Sequence, residues 1–129
     1  ELAAGRLPPL EQLSINAKGH ALECRINAED GDYKPTPGQI LDLRFPGGPG
    51  VRVDSHLYEG YSVPHQYDSL VAKIITLGSD RDDAIKRMIC ALNEFSVRGI
   101  STNIDLHKKV LSDEAFRAGD HHTGLLSGG

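Results

Sequence analysis

Apolar and polar residues alternate almost without interruption over residues 19–29, GHALECRINAE. A period of two is typical of a strand with one buried face, so we predict a strand here. The polar face has two interpretations: an ordinary solvated surface with weak ion pairs, or a surface that holds an arginine, Arg25, for binding or chemistry. The predicted buried face carries Leu22, Cys24, Ile26 and Ala28, and the polar face carries Glu23, Arg25, Asn27 and Glu29.

Three further segments have the pattern of strands. Residues 39–45 should place Leu41, Leu43 and Phe45 on one face, and residues 51–58 should turn Val51 and Val53 inward. Residues 69–77, SLVAKIITL, form the most apolar run, which only Lys73 interrupts. The segments between them, at 29–38, 46–50 and 59–64, are rich in Gly and Pro and predict turns.

After residue 78 the hydrophobic period becomes helical. We predict an amphipathic helix from a capping box at Ser79 and Asp82 to a terminating Gly99. A second helix over 103–113 has Asn103 as its candidate cap, and a short third helix surrounds residues 114–119. LEQLSI (10–15) is interpreted as one helical turn, and ELAAG (1–5) as the last turn of a helix ending at Gly5. Strands followed by helices predict an α+β fold, a small mostly antiparallel sheet with two or three helices packed on it.

Composition limits the class of protein. The 129 residues suit one domain, and 39% apolar with 25% charged residues indicate a globular chain. A net charge of −4 argues against nucleic-acid binding. Cys24 and Cys90 are interpreted as small buried side chains in a reducing compartment, and with no signal peptide or membrane span predicted, we expect a cytoplasmic protein. The abrupt start without Met suggests a domain of a longer protein, with 1–15 ending a preceding segment and 124–129 as a tail.

Local motifs favour no simple catalytic site. PGGPG (46–50) lacks the Lys-Ser/Thr of a phosphate loop and precedes a strand, so it is interpreted as a tight loop. The six histidines are scattered without metal-ligand spacing, and we expect no metal site. Asp54, Ser55 and His56 are adjacent on a predicted strand and point to alternate faces, so they should not converge into a triad.

Four blocks together resemble one family, the C-terminal domain of biotin carboxylase, over about residues 1–123. The resemblance is carried by long ungapped stretches in the family's order. They are GHALECRINAED, PTPG, FPGGPGVRVDSHLYEGYSVPHQYDSLVAKIITLGSDRDDAIKRM and GISTNIDLHKKVLSDEAFRAGD.

The resemblance implies a part of an ATP-dependent ligase that makes carboxyphosphate from ATP and bicarbonate and carboxylates biotin. It implies that Arg25 is catalytic, contacts bicarbonate and the biotin ureido oxygen, and stabilises the enolate. Asp68, in the YDS block, and Glu23 are implied to support it. The GGPGVR loop is implied to meet the partner in a homodimer, with Pro49 and Arg52 as interface candidates. Thr123 stands at the position of an adenine contact, although the following Gly-Leu-Leu departs from the family's usual His-aromatic-Leu.

The blocks that would bind ATP and Mg²⁺ do not occur in this sequence. The resemblance therefore implies that an N-terminal domain and an ATP-grasp domain supply them, and that the isolated chain is inactive. Further implied partners are a biotin carboxyl carrier domain, which presents biotin as a substrate, and a carboxyltransferase. The alternative is a non-catalytic assembly or dimerisation module of the same fold.

Overall fold

The structure is a computed structural model that describes residues 2–5, 16–65, 68–122 and 124–126. Within these residues, all but one of the strands precede the helices, and the predicted α+β class is confirmed. After a short 3-10 helix at Leu2–Ala4, the elements are β1 His20–Asn27, β2 Gly38–Gln39, β3 Asp42–Arg44, β4 Val51–Ser55, β5 Ser62–Val63, β6 Leu70–Gly78, α1 Arg81–Glu94, β7 Ser96–Arg98, α2 Ile104–Ser112 and α3 Glu114–Ala118.

An antiparallel sheet of three strands, in the order β1–β6–β4, is the centre of the fold. Its middle strand, β6, pairs with a neighbour on both sides, and over residues 72–78 its inward residues are buried while the outward ones are partly buried or exposed. Cys24, Ile26 and Ile74 are buried on the inner face, as the alternation predicts. Thr76 is also fully buried there, and its hydroxyl donates to the carbonyl of Ala84 at 2.9 Å, so it carries no unsatisfied donor.

Helix α1 packs against the inner face of this sheet and completes the core. Gly78, at the end of β6, lies so close to the helix that a β-carbon there would collide with the backbone of Asp83 and Ala84. Burying each large apolar side chain stabilises the fold by roughly 1.5–3 kcal/mol. The buried side chains of α1 are Ala84, Ile85, Met88, Ala91 and Leu92.

The N-cap of α1 is Asp80, one residue later than predicted. Asp80 has extended backbone angles, and its carboxylate accepts from the backbone N–H of Asp83 at 2.9 Å. Asp83 in turn accepts from the backbone N–H of Ser79 at 2.9 Å, which makes a reciprocal box around Asp80. That bond and a second one from Arg87 hold the pKa of Asp83 below its ordinary value. The predicted Ser79–Asp82 box is therefore wrong. Ser79 and Asp80 are consecutive residues that both suit an N-cap, and the helix uses Asp80.

The end of α1 also differs from the prediction. The helix ends at Glu94 rather than near Gly99, and the intervening residues form β7, which pairs with β3. Gly99 has φ +108° and lies so close to Gln39 that a β-carbon would overlap its carbonyl oxygen. Gly99 is therefore required for a close approach of two segments, and it is not the C-cap of α1.

The predicted strand at residues 39–45 is two short strands with different partners. β2 pairs with β5, inside the predicted 59–64 turn, and β3 pairs with β7. The change of partner at residues 40–41 breaks the alternation, so Ile40 is buried while Leu41 is 62% exposed. The prediction of one strand with Leu41, Leu43 and Phe45 on one face is therefore wrong, because of these three only Leu43 lies within a strand, and Leu41 and Phe45 are exposed.

Other predictions have mixed outcomes. Cys90 is exposed, contrary to the prediction, because its position on α1 turns away from the face that carries Met88 and Leu92. α2 and α3 occupy the predicted segments, and Gly5 has φ +74° after the 3-10 turn. The predicted helical turn at 10–15 lies outside the described residues. None of the described helices is long and apolar enough to cross a membrane.

Candidate active site

The outer face of the central sheet carries a row of charged residues. Arg25 on β1 lies opposite Lys73 on β6, and Lys73 lies opposite Asp54 on β4. Direct cross-strand partners point to the same face of a sheet, so these three side chains share one surface. Glu23 and Arg52 lie on the same surface, one on each side of Ile75. The two strand predictions with Arg25 and Arg52 on the polar side are confirmed.

Arg25 forms an ion pair with Asp68, which lies two residues before the start of β6. The guanidinium Nη2 lies 3.6 Å from the carboxylate Oδ2, and the two side chains are 55% and 70% exposed. Asp68 is oriented by the backbone N–H of Leu70, which donates to its Oδ1 at 3.1 Å. An exposed pair at this distance contributes at most ~1 kcal/mol, and it leaves much of the planar guanidinium open to a ligand.

Glu23 lies beside Lys73, with its Oε1 3.9 Å from the ammonium nitrogen. The nearest ion pair of Glu23 is thus with the lysine across the strand pair, whereas Arg25 contacts Asp68. The supporting role of Glu23 stays a prediction, and Lys73 is the residue through which it could act on the surface around Arg25.

Arg52 and Asp54 form a bidentate pair on β4. The guanidinium donates from Nε and Nη2 to the two carboxylate oxygens, both at 2.9 Å. This hydrogen bonding raises the pKa of Arg52 and lowers that of Asp54, and both side chains remain largely open to solvent. The neighbouring loop is fixed from α1, where Arg87 donates to the carbonyl of Pro49 at 2.9 Å.

The described structure has two open clefts of about 280 Å³ each, and neither includes Arg25 in its lining. Arg25 therefore stands on an open face of the described structure, as expected for one wall of a larger site. One cleft lies along α2 and the turn at residues 124–126. The other lies at the end of β4 and the start of β6 and is lined by Asp54, Ser55, His56, Leu70, Val71, Ala72 and Lys73.

The remaining candidates have other contacts. The hydroxyl of Ser55 donates to the carbonyl of Val71 at 2.8 Å, and the ring of His56 packs edge-on against Tyr61. β4 ends at Ser55, before the predicted end at residue 58, so His56 lies outside the strand, and both residues line the cleft at the end of β4. In the part of the chain that the structure describes, no three His, Cys, Asp or Glu side chains are grouped to hold a metal. Thr123 lies outside the described residues.

Sequence reasoning missed what holds the backbone of Arg25. Its carbonyl oxygen accepts from Asn103 Nδ2 at 3.2 Å and lies 2.8 Å from His107 Nε2, two side chains at the start of α2. Asn103 was predicted only as a helix cap and His107 only as one of six scattered histidines. These residues lie 78 and 82 positions after Arg25, so no local pattern could indicate the contact.

Comparisons with known proteins agree with this architecture. Residues 23–128 match the family described as biotin carboxylase C-terminal domain. Biotin carboxylase of Pseudomonas aeruginosa is 55% identical over 119 residues, 92% of this chain and 26% of the relative. The crystal structure of a biotin carboxylase–β,γ-ATP complex from Campylobacter jejuni has a TM-score of 0.88 and 40% identity, over 97% of this chain and 28% of that one.

A third match is the biotin carboxylase domain dimer of the Hydrogenobacter thermophilus 2-oxoglutarate carboxylase, in complex with MgADP, ADP and bicarbonate. It has a TM-score of 0.88 and 37% identity, over 97% of this chain and 28% of that one. The chain thus spans about a quarter of the length of its curated relatives. The family match covers most of the described residues, including the charged side chains of all three strands on the outer sheet face, here called the charged face: Glu23, Arg25, Arg52, Asp54 and Lys73. The chain belongs to the biotin carboxylase C-terminal domain family.

Proposed function

We propose that this chain is the C-terminal part of a biotin carboxylase, an ATP-dependent ligase that carboxylates biotin with bicarbonate. The observation that carries the proposal is the position of Arg25, which projects from a core strand onto an open face. Its guanidinium is more than half exposed and is paired only loosely with Asp68. Family membership supports the same conclusion.

In this proposal Arg25 acts on the ureido oxygen of biotin. When biotin loses a proton from its ureido nitrogen, negative charge develops on that oxygen as an enolate. A cation fixed in advance beside the oxygen stabilises this charge with little reorganisation. The guanidinium is permanently charged and presents a planar set of donors, and Asp68 keeps it oriented across the face of the sheet.

The remainder of the chemistry belongs to other parts of the enzyme. The described residues offer no grouped ligands for Mg²⁺, so we assign Mg²⁺ and ATP to an ATP-grasp domain that acts with an N-terminal domain. A carrier domain presents biotin, and a carboxyltransferase passes the carboxyl group to an acceptor. That acceptor, an acyl-CoA as in fatty acid biosynthesis or a keto acid, is chosen outside this chain. We place the enzyme in the cytoplasm.

We also propose that the face around Arg52 and Pro49 forms a homodimer interface. The Hydrogenobacter thermophilus relative is described as a biotin carboxylase domain dimer, and this chain matches 28% of it. In this chain Arg52 is 74% exposed on the outer sheet face, and the loop before it is fixed by Arg87. A rigid loop beside an exposed charged strand loses little conformational freedom on association.

The test of the catalytic proposal is to replace Arg25 in the full-length enzyme. Arg25→Gln should lower biotin carboxylation about 10²–10³-fold, the usual cost of losing one donor to a developing oxyanion. Arg25→Lys should not restore the rate, because an ammonium cannot present a planar fork. The melting temperature should stay within a degree or two of the parent, since the side chain is exposed.

Arg98→Gln is the matched control. Arg98 is another exposed strand arginine in a single ion pair, 3.5 Å from Asp42, but it lies on β7 away from the charged face. The Arg98→Gln enzyme should carboxylate biotin at the parental rate. Full activity of Arg25→Gln would overturn the catalytic proposal and favour a non-catalytic assembly module.

A further inference from the structure

We infer that Asn103 and His107 are positioning residues for Arg25, because they fix the backbone of β1 at the point from which the guanidinium projects. The inference rests on the proposed role of Arg25 in biotin carboxylation. It assigns to the start of α2 a part in the reaction, through contacts with the backbone of Arg25 rather than with its side chain.

The contact lies on the free edge of the sheet. β1 is an outer strand, so half of its backbone groups have no partner strand. At Arg25 the outward carbonyl oxygen accepts from Asn103 Nδ2 at 3.2 Å and lies 2.8 Å from His107 Nε2. A carbonyl can only accept, so His107 Nε2 carries the hydrogen in this contact.

Asn103 replaces a neighbouring strand over residues 25–27. Besides its bond to Arg25, its Oδ1 accepts from the backbone N–H of Asn27 at 2.9 Å, and its own N–H donates to the Asn27 carbonyl at 3.3 Å. One residue thus bonds the outward carbonyl of Arg25 and both outward backbone groups of Asn27, much as an antiparallel strand would.

This arrangement leaves α2 without the usual cap. Asn103 occupies the N-cap position, but its side chain makes no capping hydrogen bond to the helix. Such a bond is typically worth about 1 kcal/mol to a helix. The amide instead serves β1, so the contact with Arg25 and Asn27 is formed at the expense of the helix end.

The contact falls where the inner edge of β1 is irregular. The pairing of β1 with β6 shifts between Ile26 and Asn27, one residue beyond Arg25. Just past the shift, Glu29 accepts from the hydroxyl of Ser69 and, at 3.2 Å, from Asn27 Nδ2. Arg25 itself stays paired with Lys73 on the inner edge, and the bonds from α2 hold its outer edge next to the point where the ladder shifts. Together these contacts set the direction of the Arg25 side chain relative to Asp68.

The experiment uses the full-length biotin carboxylase that contains this chain. His107→Leu removes one donor, and Asn103→Asp removes the other while keeping the Oδ1 acceptor for Asn27. Each should lower kcat for biotin carboxylation about 10-fold or more, because a small misplacement of a catalytic group is costly. KM for ATP should not change. His107→Gln, whose amide can still donate, should recover most of the rate, and Lys109→Gln, exposed on the same helix, should behave as the parent.

A double-mutant cycle with Arg25→Gln separates positioning from a general structural effect. If His107 acts through Arg25, His107→Leu should lower the residual rate of Arg25→Gln by less than twofold. An equal loss in both backgrounds, or a parental rate for both His107→Leu and Asn103→Asp, would overturn the inference while the role of Arg25 stands. A parental rate for Arg25→Gln alone would instead reject the proposed function, and the inference with it.

Discussion

Neighbouring residues of β1 have opposite surroundings, and single substitutions should distinguish them. Ile26 is fully buried against the core, whereas Glu23 makes one long ion pair on the outer face. Ile26→Ala should destabilise the chain by roughly 2–5 kcal/mol through lost burial and a cavity. Glu23→Gln should change stability by less than about 1 kcal/mol, since exposed ion pairs are weak. Denaturant unfolding of the two variants measures both values, and the reverse order would place β1 one residue out of register.

The two cysteines provide a second prediction at this scale. Burial, with a smaller effect from Glu23, raises the pKa of the Cys24 thiol to about 12, whereas Cys90 is exposed on α1. The thiolate is the reactive form, so Cys24 should not react with a thiol reagent at neutral pH. Titration with such a reagent should therefore count one thiol per native chain and two after denaturation. Two rapid thiols in the native chain would contradict the buried position of Cys24.

At the residue scale the sequence predicted orientation but few partners. The alternation of β1 placed Arg25 on the polar face and Ile26 in the core, because side-chain direction in a strand depends only on local period. The contact with Asp68 depends on how β6 enters the sheet, and the contacts with Asn103 and His107 depend on the packing of α2. Such long-range pairs leave no periodic signal in a single sequence.

The N-cap of α1 is testable as a property of one element. Asp80→Ala removes the side-chain bond to the N–H of Asp83 and should destabilise the chain by about 1 kcal/mol. Ser79→Ala should have much less effect, because Ser79 contributes its backbone N–H to Asp83 and its hydroxyl makes only long contacts of 3.3 and 3.5 Å. Chemical denaturation of both variants gives the comparison. A larger loss of stability in Ser79→Ala than in Asp80→Ala would indicate that Ser79 is the N-cap, as the sequence predicted.

At the scale of elements, long periodic segments were predicted well and short strands were not. β1, β6, α1 and α2 each repeat their pattern several times, so their period is unambiguous. The short strands have two or three residues each, and their pairing is decided by the segment that approaches them. Ile40 is buried and lies between β2, which pairs with β5, and β3, which pairs with β7. The local alternation of apolar residues does not reveal this change of partner strand.

At the scale of the whole molecule, the proposed function divides the chemistry between this chain and other domains. The Arg25–Asp68 pair lies within the described residues, among which no three metal-ligating side chains are grouped. Phosphoryl transfer depends on cations that neutralise the phosphate oxygens. In the proposed function the ATP-grasp domain holds these cations, so ATP turnover should depend on that domain.

We therefore expect that the purified 129-residue chain releases no phosphate from ATP in the presence of bicarbonate and Mg²⁺ beyond a heat-denatured blank. Free biotin should not change this result, because the proposed role of Arg25 comes after bicarbonate has been phosphorylated in another domain. The full-length enzyme, assayed at the same molar concentration, should turn over ATP and carboxylate biotin. Bicarbonate-dependent turnover that co-elutes with the purified chain on gel filtration would contradict the prediction. Turnover that separates from the chain on the column would come from a contaminating enzyme.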